Sequence, residues 1–156
     1  MFLGFNFDIL ILRWGDIVNT TVIVRDYRDS DYAFVNQMLL DSFSVTKGAD
    51  NLIGSEYHEL VGVIDSNVVG YLLLTKVYNP IIQRSYHLID YVCVSSNYRR
   101  LGVGKSLLQK AYEIARSEHS IYLQLTCSNF RIAAHKLYES CGYVKRESDL
   151  FRKEIV

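Results

Sequence analysis

The spacing of hydrophobic and polar positions predicts strands and helices in alternation from about residue 20 onward. Apolar residues three or four apart predict helices, and β-branched or alternating runs predict strands. The predicted strands are 20–27, both arms of a hairpin within 58–78 that turns at Ser66-Asn67, 85–95, 120–128, and a terminal antiparallel pair at 143–148 and 150–155. The predicted helices are 29–43, capped by Asp29 or Ser30, 102–117, and 130–140, ended by Gly142.

This order of elements predicts an α/β (α+β) fold, with about six to seven strands in a mixed sheet and helices on both faces. Residues 85–95 are apolar on both faces, which indicates an inner strand. No linker, repeat or low-complexity run divides the chain, so one domain is expected over 20–156. The apolar segment 1–19 is interrupted by Asn6 and Asp8 and is too short to span a membrane. It is interpreted either as an extra strand or as an N-terminal extension of the domain.

Composition and charge narrow the classes of function. The chain has 156 residues, of which 49% are hydrophobic and 22% charged, as in a globular protein. Lys+Arg and Asp+Glu number 17 each, so no basic field indicates a nucleic-acid partner. The three cysteines cannot all pair within one chain, and reduced thiols favour a cytoplasmic location. The four histidines show no metal-ligand spacing, so no metal is expected.

The segment YRRLGVGKS, residues 98–106, places a basic turn with two glycines directly before a predicted helix. It is not a P-loop, because Arg99 stands where that motif needs glycine, and it is not a dinucleotide fingerprint, because Leu107 replaces the third glycine. The first N–H groups of a helix lack intrahelical partners, and the helix dipole favours an anion there. Gly102 and Gly104 would leave this backbone open to a pyrophosphate. The alternative is an ordinary strand-to-helix turn with solvated arginines.

Two motifs carry a resemblance to a known family. Residues VSSNYRRLGVGKSLL resemble the coenzyme A-binding signature of the GCN5-related N-acetyltransferase (GNAT) family, with Arg99, Gly102 and Gly104 at the signature positions. Residues NFRIAAHKLYESCGY, 129–143, resemble the second conserved segment of that family. The resemblance covers about residues 20–156. It implies the acyl-CoA N-acyltransferase fold, in which the mixed central sheet is mostly antiparallel.

The resemblance also implies a role for individual residues, with acetyl-CoA as cosubstrate. The strand edge that would pair with the pantetheine arm is Val92, Cys93 and Val94. The turn that would hold the pyrophosphate is Arg99, Arg100, Leu101, Gly102, Val103, Gly104, Lys105 and Ser106. Asn129 or Arg131 would contact the cofactor from the second motif, and Tyr138 would lie at the sulfur and protonate the leaving thiolate.

For the base that deprotonates the acceptor amine, the candidate is Asp90. Period-two spacing places it on the same strand face as Val92 and Val94. Its alternative role is an ordinary structural ion pair.

The function implied is direct transfer of an acetyl group from acetyl-CoA to a primary amine within a ternary complex. A small-molecule amine is the preferred acceptor, and a protein N-terminus or lysine is the alternative. A non-catalytic acetyl-CoA sensor of the same fold is a further alternative. No membrane partner is expected, while the resemblance and the exposed sheet edges favour a homodimer.

Overall fold

The computed structural model describes residues 21–48 and 56–155, so the predicted extension 1–19 lies outside the described residues. The strands are β1 (Ile23–Asp26), β2 (Tyr57–Ile64), β3 (Asn67–Asn79), β4 (Arg84–Val94) and β5 (Leu123–Leu125). The helices are α1 (Tyr32–Phe43), α2 (Val103–Ser117) and α3 (Ile132–Ser140). Short 3-10 turns cover Asp29–Asp31 and Ser96–Tyr98.

The strands form one sheet in the order β1-β2-β3-β4-β5, with antiparallel pairing except between β4 and β5, which are parallel. This confirms the predicted mixed, mostly antiparallel α/β fold, although the described residues contain five strands rather than six or seven. The β2–β3 turn lies at Asp65 and Ser66, one residue before the predicted position, because Asn67 already pairs with Ile64. Both turn residues have positive φ, as in the tight turns that join twisted antiparallel strands.

Helices cover both faces of the sheet, as predicted. The cluster on the α1 face consists of Val35, Met38, Leu39, Val61, Val63, Tyr71 and Cys93. The cluster on the α2 face includes Leu60, Leu72, Leu74, Ile89, Val103, Leu107, Leu108 and Ala111. The apolar stripe predicted along α2 is therefore its buried side. Each fully buried aliphatic side chain contributes about 1.5–3 kcal/mol to holding the helix on the sheet.

A pair of glycines sets how closely the start of α2 approaches the sheet. Gly62 and Gly70 are register partners on β2 and β3. A Cβ at either position would lie 2.8 Å or 2.6 Å, respectively, from Cγ1 of Val103, the first residue of α2. The two glycines thus form a shallow seat for Val103, and this seat positions the turn that precedes the helix.

The end of α3 matches the prediction, whereas the residues after it do not. Gly142 has φ 84° and donates its N–H to the Glu139 carbonyl, while Tyr143 donates to Tyr138, which together form a Schellman motif. Residues 143–155 form no strand, so the predicted terminal pair is wrong. From Val144 onward their large apolar side chains, such as Phe151 at 90% exposure, are open to solvent. Alternation is a local property, whereas a strand also needs a neighbouring edge, and β5 offers only three residues.

Candidate active site

The pairing between β4 and β5 stops partway along β4, and the unpaired β4 edge beyond that point, with the space beside it, is called the cleft here. Their register runs from His87–Leu123 to Ile89–Leu125, and β4 continues beyond it to Val94. Within the described ranges, no strand pairs with the β5-facing edge of β4 after Ile89. Backbone N–H and C=O groups need hydrogen-bond partners, so this edge can accept an extended, amide-containing ligand.

A bulge in β4 lies at the mouth of this cleft. Leu73 pairs with Asp90 and Tyr71 pairs with Cys93, so two β4 residues oppose the single residue Leu72. One of the two, Tyr91, has φ 52°, a left-handed conformation that is uncommon for a bulky side chain. Such backbone strain costs about 1–3 kcal/mol and clusters at functional sites.

The bulge corrects the expectation for Asp90. Register partners lie on the same face, so Asp90 shares the α1 face with Leu73 and Cys93. Val92 and Val94 pack instead against the cluster on the α2 face. The predicted shared face of Asp90 and the two valines is wrong, because the period of two holds only in a regular strand.

Asp90 is nevertheless the first β4 residue beyond the last pair with β5. Its side chain is half-buried, and this burial raises the pKa of its carboxyl above the usual range. Within the described part of the chain, no charged group contributes to that shift. A desolvated carboxylate without a cation beside it is suited to accept a proton.

The turn from β4 to α2 has the geometry of an anion site. Arg100 and Gly102 have φ of 68° and 84°, and Gly102 is the N-cap of α2 with no side-chain capping bond. Apart from its two chain neighbours, no heavy atom of the described residues lies within 4 Å of where a Cβ on Gly102 would be. Arg99 is exposed, and its Nε donates to the Val94 carbonyl at 3.4 Å. The first N–H groups of α2 therefore face an open, basic turn, which is the setting for a bound phosphate.

Gly104 has a different role from the one expected. A Cβ there would lie 2.9 Å from Cδ2 of Leu137, on α3, and the residue is buried. Glycine at this position therefore permits close packing of α2 and α3, and it does not leave space for a ligand. Only its backbone N–H is available to an anion.

The other predicted cofactor-binding residues differ in accessibility. Val103 and Cys93 are buried and can contribute only backbone groups, while Leu101 and Lys105 are exposed and Ser106 is half-buried. Burial raises the pKa of the Cys93 thiol to about 12, against smaller opposing effects of hydrogen bonds with the Tyr71 backbone and with Ser42. Cys93 is therefore an inert core thiol at neutral pH.

Tyr138 lies on α3 and packs against the core cluster on the α2 face. Its ring meets that of Tyr143 edge-on, with centroids 6.1 Å apart. Burial raises the pKa of Tyr138 to about 12, with a further rise from Cys127 and a lowering effect of Arg131. The phenol thus stays protonated at neutral pH and can donate a proton.

The second motif supplies two candidates for a contact with the cosubstrate, Asn129 and Arg131, and their surroundings in the structure differ. The Arg131 Nη2 donates to the Ser42 carbonyl at 3.1 Å, and its guanidinium lies 4.6 Å from the centroid of the Phe43 ring. The Phe43 ring in turn meets Tyr91 edge-on at 5.4 Å. Asn129 is exposed. Sequence reasoning missed Phe43 and its contacts, since nothing in local spacing links residues so far apart in the chain.

Other kinds of site find no support in the described residues. Within 21–48 and 56–155, no group of three or more His, Cys, Asp or Glu residues is arranged to hold a metal ion. No helix in those ranges is both long and apolar enough to cross a membrane.

Comparisons with known proteins agree with this architecture. Residues 22–143 match the model of the acetyltransferase (GNAT) family. Streptothricin acetyltransferase A of Bacillus subtilis (strain 168) is 32% identical over 81 residues, which are 52% of this chain and 44% of that protein. The chain spans less than half the length of the curated relatives it matches.

Solved structures show the same fold at low identity. The ribosomal-protein-alanine N-acetyltransferase of Brucella melitensis biovar Abortus 2308 aligns with a TM-score of 0.71 at 18% identity, covering 85% of this chain and 99% of that one. The aminoglycoside acetyltransferase HMB0005 from an uncultured soil metagenomic sample has a TM-score of 0.74, also at 18% identity, over 87% and 99%. Because the family model matches most of the chain and the fold agrees, the protein belongs to the acetyltransferase (GNAT) family.

Proposed function

We propose that the protein transfers an acetyl group from acetyl-CoA to a primary amine, directly and within a ternary complex. The observation that carries the proposal is the end of β4–β5 pairing at Ile89–Leu125, which leaves the last part of β4 unpaired on that edge before the uncapped start of α2. An unpaired strand edge followed by a basic helix N-terminus matches the amide and phosphate parts of one extended cosubstrate. Family membership supports the same reaction.

Backbone groups would hold this cosubstrate. The edge Val92–Val94 would pair with the pantetheine amides, and an N–H of this edge would stabilise the oxyanion that forms from the thioester carbonyl. The turn Arg99–Ser106 would bind the pyrophosphate through its backbone, with the exposed arginines adding charge. Asn129 would contact the cosubstrate from the second motif, because the Arg131 side chain is already bound to α1.

Asp90 and Tyr138 would carry the proton transfers. An alkyl amine has a pKa of roughly 10.4 and is mostly protonated at neutral pH, so it must lose a proton before it attacks. Asp90, desolvated and next to the cleft, would accept that proton directly or through water. Tyr138 would donate its proton to the thiolate that leaves as the amide forms.

A small-molecule amine is the proposed acceptor. Two curated relatives at 32% and 30% identity are streptothricin acetyltransferases, and the names of both denote acetylation of a small molecule. A protein N-terminus or lysine is the alternative acceptor. A cytoplasmic location and a homodimer belong to the same proposal, and the free cysteines of the described residues fit the former.

The first test is calorimetric titration of acetyl-CoA into the wild type and Gly102→Asp. We expect micromolar binding by the wild type and its loss in the variant, because a carboxylate at the N-cap repels the pyrophosphate. Gly142→Asp is the matched control, since Gly142 has the same φ of 84° and equally open space but lies at the end of α3. A folded wild type that binds no acetyl-CoA would contradict the proposal.

The second test separates an enzyme from a sensor. We expect Tyr138→Phe to lower kcat by about 10²–10⁴-fold while the Kd of acetyl-CoA stays unchanged, since the ring remains and only the acid is lost. Thiol release with a panel of amines measures the turnover. Wild-type binding of acetyl-CoA without thiol release from any amine would favour the sensor.

A further inference from the structure

Arg131 joins three elements at the mouth of the cleft. It is the N-cap residue of α3, yet its side chain reaches the last turn of α1, where Nη2 donates to the Ser42 carbonyl at 3.1 Å. The same guanidinium lies over the Phe43 ring at 4.6 Å, and that ring packs edge-on against Tyr91 of the β4 bulge. A continuous set of contacts therefore runs from α3 through α1 to β4.

Each contact in this set satisfies a physical requirement. The last carbonyls of a helix lack intrahelical partners, and a cation there also complements the negative end of the helix dipole. A guanidinium is suited to bind a carbonyl and an aromatic face together, because it is planar and weakly hydrated. Ser42 and Phe43 end α1, so Arg131 fixes the position of that end.

The other end of this set of contacts is the strained residue. Tyr91 has φ 52°, and such a conformation persists only where surrounding groups hold it in place. The Phe43 ring packs edge-on against the Tyr91 ring and is one of the groups that hold it. The residue before Tyr91 is Asp90, so the position of the bulge also decides where the Asp90 carboxylate lies relative to the cleft.

We propose that Arg131 is a positioning residue for the acceptor half of the reaction: through Phe43 it holds the Tyr91 bulge and thereby places Asp90 beside the cleft. This inference rests on the proposed function. It assigns Arg131 to the acceptor side, whereas the resemblance allowed a contact with acetyl-CoA.

The test compares Arg131→Met, which keeps a long apolar stem but loses the charge and the donor, with Arg131→Lys, which keeps both. Hydrogen–deuterium exchange should accelerate about tenfold in Arg131→Met at residues 42–44 and 91–93, with α2 unchanged. The pKa of the Asp90 carboxyl is followed by ¹³C NMR titration, with the signal assigned by Asp90→Asn. In Arg131→Met this pKa should move down toward 3.8, because a loosened bulge admits water. Arg131→Lys should retain part of both properties, and acetyl-CoA affinity should equal that of the wild type.

The outcomes separate the possible roles of Arg131. Weaker acetyl-CoA binding by Arg131→Met, with exchange at the bulge unchanged, would overturn the inference and assign Arg131 to the cosubstrate. Faster exchange throughout the chain would also overturn it, because it would indicate a general loss of stability. A wild type that does not bind acetyl-CoA would refute the proposed function, while the exchange and titration data would still decide whether Arg131 holds the bulge. With any amine that the wild type acetylates, its KM should rise in Arg131→Met and the KM of acetyl-CoA should not.

Discussion

At the scale of single residues, Asp90 is placed where function and stability oppose each other. Burial raises its pKa, so the folded protein holds the proton more tightly than the unfolded chain does. The contribution of the Asp90 carboxyl to the free energy of unfolding is therefore fully present below pH 3.8. It is lost as the pH rises through the higher pKa of the folded state. An ionised Asp90 at neutral pH destabilises the fold.

We therefore expect Asp90→Asn to raise the Tm at pH 7 and to lower kcat/KM about 10²–10⁴-fold, because the variant removes both the buried charge and the base. Thermal unfolding and thiol release measure the two effects, and the gain in Tm should shrink toward pH 3.8. Asp149→Asn is the control, since Asp149 is exposed. A higher Tm with undiminished turnover would exclude Asp90 from the chemistry.

Residue-level prediction from the sequence succeeded where a motif fixes the backbone and failed where a contact is distant. Arg99, Gly102 and the helix that follows were predicted from local spacing and lie together at the turn. The face of Asp90 was predicted wrongly, because a bulge is a property of strand pairing and leaves no mark in the sequence of one strand. The bond from Arg131 to Ser42 spans 89 residues, so no periodicity could indicate it.

At the scale of elements, the Gly62–Gly70 seat of α2 is open to a direct test. A Cβ at Gly70 would lie 2.6 Å from Val103 Cγ1 and 3.1 Å from Leu107 Cδ1. We expect Gly70→Ala to lower the free energy of unfolding by about 1–3 kcal/mol, since packed helices cannot absorb an extra methyl without shifting. Urea denaturation measures the change. Gly48→Ala is the control, because among the described residues only its chain neighbours could lie within 4 Å of a Cβ at that position.

A compensating variant shows whether the seat itself is responsible. Val103→Ala removes the Cγ1 methyl group, which lies nearest to the Cβ added by Gly70→Ala. It should therefore recover part of the stability lost in Gly70→Ala, although it is destabilising alone. Additive losses in the double variant would show that the two sites do not interact in the way the distances indicate.

The helices and strands also show what the hydrophobic pattern of the sequence can and cannot predict. Spacing identified the three helices of the described residues, and α1 and α2 each bury an apolar stripe against one face of the sheet. It also predicted a strand pair over 143–155, which has the alternation but no partner edge in the structure. The hydrophobic pattern predicts which side of a helix or strand is apolar. Whether a strand forms depends also on a neighbouring strand edge with which it can pair.

At the scale of the whole molecule, a polar cluster, in which His87 is buried and the other side chains are partly exposed, lies at the end of α2 opposite the glycine turn. His87 is fully buried, with Nδ1 2.7 Å from the Ser120 hydroxyl and Nε2 3.5 Å from Glu118. Glu118 also contacts His58 at 2.8 Å and Lys76 at 3.1 Å. Strands β2, β3 and β4 thus meet the end of α2 through one carboxylate.

This cluster predicts a loss of stability in mild acid. Burial lowers the pKa of His87 below 6.5, which outweighs the attraction of Glu118, so the folded protein resists a proton that the unfolded chain accepts. Stability is therefore full above pH 6.5 and falls as the pH drops below it, by up to about 1.4 kcal/mol per pH unit. Burial alone would raise the pKa of Glu118, but hydrogen bonds from His58 and Lys76 lower it, so its own contribution is lost only below pH 4.5.

Between pH 6.5 and 4.5 the fall in stability should accordingly depend on His87. We expect urea denaturation of His87→Gln to give a flatter dependence of the unfolding free energy on pH in this window, because glutamine can still bond Ser120 but does not titrate. His119→Asn, which changes an exposed histidine, should keep the wild-type slope. If His87→Gln and the wild type lose stability in parallel, the acid sensitivity arises elsewhere in the cluster, and His87 is only a core side chain that joins β4 to the residues after α2.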